Sequence, residues 1–101
     1  MNRVPSEATA WAYRDVTYSQ VIVWVDPDPA NAALVKQWAI DYSNATRPHS
    51  AGGGYVNFMM DVGQDRVRAT YRGNYERLAR IKAEFDPTNV FRINQNIHPA
   101  Q

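Results

Sequence analysis

The chain has 101 residues, 45% of them hydrophobic and 21% charged, which is the make-up of one globular domain with a single small core. Eleven basic and ten acidic residues leave a formal net charge of +1, too weak a field to recruit nucleic acid by charge alone. Cysteine is absent, which excludes disulfides, thiolate metal ligands, a thiol nucleophile and a thioether-linked cofactor, and suits a reducing cytoplasm.

The first residues, Met1 to Glu7, carry no apolar run of the kind a signal peptide or membrane anchor needs, and no later stretch is long enough to span a bilayer. A soluble, cytoplasmic protein without membrane contact is expected. From Ala8 to Arg14 the bulky residues Thr9, Trp11 and Tyr13 alternate with alanines, the two-residue period of a strand. The run Val21-Ile22-Val23-Trp24-Val25, within Tyr18 to Val25, reads as a second strand covered on both faces. The short gap between them predicts an antiparallel pair.

Asp26-Pro27-Asp28-Pro29 stops that strand and starts a helix, with Asp28 as the cap and Pro29 in the first helical position. Leu34, Trp38, Tyr42 and Ala45 recur at helical spacing and should lie on the sheet, with Lys36, Gln37, Asp41 and Asn44 largely opposite. Arg47-Pro48-His49-Ser50 ends the helix. Ala51-Gly52-Gly53-Gly54 reads as a mobile connector, and no Lys and Ser/Thr follow it to make a phosphate cradle. Tyr55 to Met60 reads as a third strand, with Tyr55 and Asn57 on one side and Val56 and Phe58 on the other.

A helical region from Asp65 to Phe85 follows, with Val67, Tyr71, Tyr75, Leu78, Ile81 and Phe85 as its apolar stripe and a break at Gly73-Asn74. Asp86-Pro87 terminates it. Arg77, Lys82 and Arg92 are placed to pair with Glu76, Glu84 and Asp86. From Thr88 to Gln101 an extended tail is expected to dock through Val90, Phe91, Ile93 and Ile97. The fold class is therefore α+β: a small antiparallel sheet of about three strands, two main helices and an extended C-terminal tail, forming one domain over residues 1–101.

Three stretches in order, Thr9 to Arg14, Tyr55 to Phe58, and Asn74 through Arg92 to Ile97, resemble the C-terminal berberine-bridge-enzyme-like domain of FAD-linked oxidases. The resemblance implies part of a substrate domain whose tail returns to the flavin domain, with FAD as the cofactor and hydride transfer from substrate to flavin as the chemistry. It implies an FAD-binding domain, of the parent protein or a companion chain, as partner. These residues lack that domain's motifs, so the chain alone is not expected to hold FAD tightly or to be catalytic.

By the same resemblance Tyr55 and Asn57 would contact the cofactor or its surroundings, and Asn94 and Gln95 would meet the flavin's polar edge or a neighbouring backbone. The alternatives are a plain strand and structural hydrogen bonding. Family members that deprotonate an alcohol or phenol often carry a tyrosine base at the position of Phe58; phenylalanine has no ionisable group, so no catalytic residue is assigned. Tyr18, Gln20, Ile22 and Trp24 could line a substrate cavity or pack in the core. His49 and His98 stand alone, which gives no metal site. A different class remains open, a free-standing α+β module that binds a ligand or protein. Either way, unpaired backbone and apolar residues predict self-association.

Overall fold

In the computed structural model, which describes residues 3–101, three α-helices carry most of the regular structure: α1 (Ala32–Thr46), α2 (Gln64–Tyr71) and α3 (Tyr75–Phe85). Met1 and Asn2, the start of the segment expected to lack a leader, lie outside the described residues. The chain divides into two compact units, one made of residues 18–52 and the other of residues 3–17 with 53–101. No helix among the described residues is long and apolar enough to cross a membrane.

The expected α+β class is overturned: no strand occurs among the described residues, and the three-stranded antiparallel sheet is absent. The reason is where the backbone hydrogen bonds go, because a strand exists only against a neighbour that completes its ladder. Around residues 8–14 the chain turns instead, Ala8 N donating to Pro5 O at 3.1 Å and Arg14 N to Ala12 O at 3.0 Å. Over residues 55–60 a 3₁₀ turn, Val56–Phe58, takes the place of the third strand, with Phe58 N on Tyr55 O and Met59 N on Val56 O. Residues 18–25 run without regular structure, and Tyr18, Val23 and Val25 are largely exposed.

In the 18–52 unit the helix boundaries follow the sequence. Asp28 stays extended, and its carboxylate accepts from Ala30 N at 2.9 Å, capping the 3₁₀ turn Pro29–Asn31 that leads into α1. Asp26 steadies the entry by accepting from Asp28 N and from Asn31 Nδ2. A second 3₁₀ turn, Arg47–His49, closes the helix. Without a sheet beneath it α1 buries no residue. Its stripe packs on itself, Trp38 stacking on Tyr42 at 5.3 Å between centroids and meeting Trp24 edge-on at 4.8 Å. The expected core position of Trp24 is thus also corrected: it stands at the surface.

The other unit holds the core. Val67 of α2 and Tyr75 and Ala79 of α3 are buried together, with Tyr71, Ile97 and Ala100 against them. Between the helices the chain breaks at the 3₁₀ turn Arg72–Asn74, where the sequence placed it, with Arg72 at φ 48°. α3 faces the core through Tyr75 and Ala79, and the expected stripe continues only in part, since Ile81 and Phe85 point to solvent. The tail docks through its end: Ala100 N donates to Ala79 O, His98 N to the Tyr75 hydroxyl, and Gln64 Nε2 to Asn96 O. Val90, Phe91 and Ile93, expected to dock, are exposed.

Asp86 shapes the turn into the tail. Its carboxylate accepts from Val90 N at 2.7 Å and Phe91 N at 3.0 Å, and forms a short ion pair with Lys82 one helical turn back. Of the pairings expected along α3, Lys82–Asp86 is present, Glu76 pairs with Arg68 instead, and Arg77 turns to the Thr9 carbonyl.

Candidate functional site

The 3₁₀ turn Val56–Phe58, the end of α2 and the tail at Ile93–Gln95 enclose an open concavity of about 420 Å³, within the size range of small-molecule sites. Three of the four residues singled out from the sequence meet here. Asn57, Asn94 and Gln95 line it, with Tyr71 beside them and Val56, Met59 and Ile93 supplying apolar wall. Tyr55 does not line it, and touches it through Asn57, whose Nδ2 donates to the Tyr55 hydroxyl at 2.8 Å. The expected alternation of faces is replaced by turn geometry, which sets Tyr55 and Phe58, three residues apart, edge to face at 5.3 Å. Trp11 extends this aromatic row, 5.7 Å from Tyr55 and 5.9 Å from Tyr13.

Each polar group has a different amount of bonding capacity left. Gln95 Nε2 is committed, donating to Met59 O at 3.0 Å and Met60 O at 2.9 Å, so this side chain fixes the turn while its carbonyl oxygen stays available. Asn94 sits in the left-handed region at φ 64°, a conformation asparagine tolerates. Its carboxamide bonds to no other described residue. Burial pushes the Tyr71 hydroxyl above its ordinary pKa, so at neutral pH it is a hydrogen-bond donor and not a base. The Asn94 carboxamide, the Asn57 and Gln95 carbonyl oxygens and the Tyr71 phenol are left open beside apolar wall, the kinds of group that could hold a flavin's polar edge and flat ring.

Beneath the concavity, α2 is tied to the rest of its unit. Thr70, fully buried, donates to Arg66 O at 2.8 Å and accepts from Gly54 N at 3.3 Å. The Tyr13 hydroxyl donates to Ala69 O at 2.7 Å, and the Arg72 guanidinium lies 3.7 Å over the Tyr13 ring while pairing with Asp15. The Tyr13 hydroxyl foremost, with Asp15 behind it, holds Arg72 above its ordinary pKa against the opposing cost of burial. Gly53 passes directly over Tyr13, which corrects the reading of the glycine run as a loose connector at that position. Phe58 is largely exposed. Among the described residues no cluster of three metal-ligating side chains occurs, and His49 falls in the turn after α1.

Asn74, Tyr13 and Tyr71 carry more of this architecture than the sequence suggested. Asn74 is buried, and its Nδ2 gathers Ser6 O at 2.7 Å and Thr9 O at 3.0 Å. Its place ahead of Tyr75, inside one of the recognised stretches, was the available signal.

A tail and a turn thus jointly build one polar concavity beside a small helical core. Residues 54–98 match the family described as berberine and berberine like. Over 96% of its length the chain is 33% identical to an uncharacterized FAD-linked oxidoreductase, YgaK, of Bacillus subtilis, covering 21% of that protein. It is 33% identical over its whole length to a xylooligosaccharide oxidase of Thermothelomyces thermophilus, covering 22% of it. An aclacinomycin-N/aclacinomycin-A oxidase of Streptomyces galilaeus is 30% identical over 98% of the chain and is covered to 22%. The chain carries the berberine-bridge-enzyme-like domain of FAD-linked oxidoreductases, and it spans about a fifth of the length of the curated relatives it matches.

Proposed function

We propose that this chain is the berberine-bridge-like portion of an FAD-dependent oxidoreductase, completing its substrate domain and closing the flavin site from one side. The observation that carries the reading is the convergence of Asn57, Asn94 and Gln95, distant in sequence, on one concavity with Tyr71. When bound, the flavin supplies the hydride acceptor. The chain's own residues orient it: Asn94 and the Tyr71 hydroxyl as donors, the free oxygens of Asn57 and Gln95 as acceptors, and Gln95 Nε2 holding the turn that carries Asn57.

Alone, the polypeptide is not catalytic in this reading, because Phe58 offers no proton-accepting group and the concavity is open on one side. Its partner is an FAD-binding domain, in the same polypeptide or a companion chain, with both compact units belonging to one berberine-bridge-like domain of a cytoplasmic protein. The names of the relatives support FAD; xylooligosaccharide and aclacinomycin belong to the two proteins so named.

Co-expression with the FAD-binding portion of an FAD-linked oxidoreductase of this family tests the proposal. A yellow complex that retains flavin through gel filtration, and loses it when Asn94 and Tyr71 are replaced by alanine and phenylalanine, is the expected result. Colourless, unassociated chains would overturn it.

A further inference from the structure

Two guanidinium groups 63 positions apart meet at Thr9. Arg14 Nη2 donates to Thr9 Oγ1 at 2.5 Å, and Arg77 Nη2, from the first turns of α3, reaches Thr9 O at 3.4 Å. Asn74 Nδ2 donates to the same carbonyl at 3.0 Å. The other basic side chains of this unit that reach an acid each reach their own: Arg68 pairs with Glu76, Arg72 with Asp15 and Lys82 with Asp86. Among the described residues, no carboxylate lies within ion-pairing distance of Arg14 or Arg77. The Nε of each is buried and makes no hydrogen bond.

A buried N–H without an acceptor is rare in folded proteins and calls for a specific cause. Here the same omission occurs twice, on two arginines anchored to one residue. The Nη groups that reach Thr9 are exposed, and positive charge there without a counter-ion attracts an anion. Guanidinium is suited to meet it, since its planar fork presents paired N–H groups to the oxygens of phosphate or carboxylate. Two unpaired positive charges are balanced by a dianion, whereas one carboxylate would leave half of the charge uncompensated. We propose that Arg14 and Arg77 form a binding site for a phosphoryl oxyanion, seated against Thr9 and bridging the residue 8–14 segment to α3.

The site lies on elements other than those that line the concavity, and the inference stands independently of the flavin reading. Titration of the chain with inorganic phosphate at constant ionic strength, followed through the arginine Nε–H resonances, tests it. Saturable shifts of the Arg14 and Arg77 signals are expected in the wild type, weakened about tenfold by either Arg14→Gln or Arg77→Gln and unchanged by Arg92→Gln. A second arm with adenosine diphosphate separates the sources: tenfold tighter binding through the same two arginines assigns a nucleotide phosphate, and equal binding assigns free phosphate. Shifts that do not saturate, that appear equally with chloride, or that survive both substitutions would overturn the site. Should the substituted chains fail to fold, the wild type decides alone, since phosphate must then raise its Tm above that in chloride of equal ionic strength.

Discussion

Gly53 lies so close to the ring of Tyr13 that a β-carbon at position 53 would stand 2.2 Å from Tyr13 Cε2 and Cζ. Tyr13 cannot retreat without breaking its hydroxyl's 2.7 Å bond to Ala69 O and its contact with Arg72. Gly53→Ala should therefore destabilise by roughly 1–3 kcal/mol, the usual range for overpacking. Gly54→Ala meets only the flexible Met59 side chain at 3.1 Å and should cost less, while Gly73→Ala enters open space and should be neutral or slightly stabilising. Thermal unfolding of the three variants reads the order directly; equal Tm values for 53 and 73 would refute the close packing.

Asn74 joins the residue 6–10 turn to the start of α3 by donating to Ser6 O and Thr9 O from a buried position. Asn74→Ala removes both bonds and strands the carbonyls, a loss of about 1–3 kcal/mol. Asn74→Asp should be worse at neutral pH, because a carboxylate would face acceptors with no proton to share. Urea unfolding of both variants checks the ranking, and an aspartate variant as stable as wild type would contradict the assigned donor.

These two positions show what the sequence could and could not reveal. Element ends carried by local chemistry were legible: Asp28 caps, Asp86-Pro87 stops α3, and the chain breaks at Gly73-Asn74. The strands were not, because apolar alternation signals a strand only when a neighbour completes the ladder, and the backbone of residues 55–60 folds into an i to i+3 turn instead. Gly53 read as a hinge because its partner, Tyr13, lies 40 positions away. The family resemblance singled out Asn57, Asn94 and Gln95, which line one concavity, whereas Tyr71 was counted in a helix stripe and its place at the concavity's edge emerged only from the fold.

The Asp86 carboxyl is held below its ordinary pKa of 3.8, by Lys82 first and by the Val90 and Phe91 amides, against the cost of burial. A depressed folded pKa means that the carboxylate's contribution is complete above the unfolded value and disappears as pH falls through the folded one. The turn through Pro87–Phe91 should thus persist at pH 4 and open only below 3.8. A carbon-13 titration of the Asp86 carboxyl should give a midpoint under that value. Asp86→Asn should accelerate amide exchange at Val90 and Phe91 at neutral pH; unchanged protection would remove the carboxylate from the turn's support.

Exposed Trp38 and Tyr42 stack on α1, which buries no residue of its own, and exposed Trp24 from the preceding segment meets Trp38 edge-on. Such a surface favours self-association when no partner covers it. Sedimentation velocity should show concentration-dependent association of the isolated chain, reduced by Trp38→Ser, with tryptophan emission shifting to the red on dilution. A monomer at every concentration would show that the cluster satisfies itself.

Gln95 gives the sharpest division between holding a site and touching its ligand. Its Nε2 binds the carbonyls of Met59 and Met60, so Gln95→Ala releases the turn that presents Asn57, at about 0.5–1.5 kcal/mol per lost bond. Gln95→Glu keeps the length and the outward oxygen but exchanges the donor for an acceptor facing two carbonyls, and should loosen residues 55–60 as much or more. Asn94→Ala breaks no side-chain bond to another described residue, and should leave stability nearly unchanged. Amide exchange over residues 55–60 should therefore rise in both Gln95 variants and stay flat in Asn94→Ala. In the flavin-bearing complex the pattern should invert for Asn94, whose replacement weakens flavin retention without loosening the turn. Equal behaviour of the two residues in both measurements would mean that the concavity is packing alone.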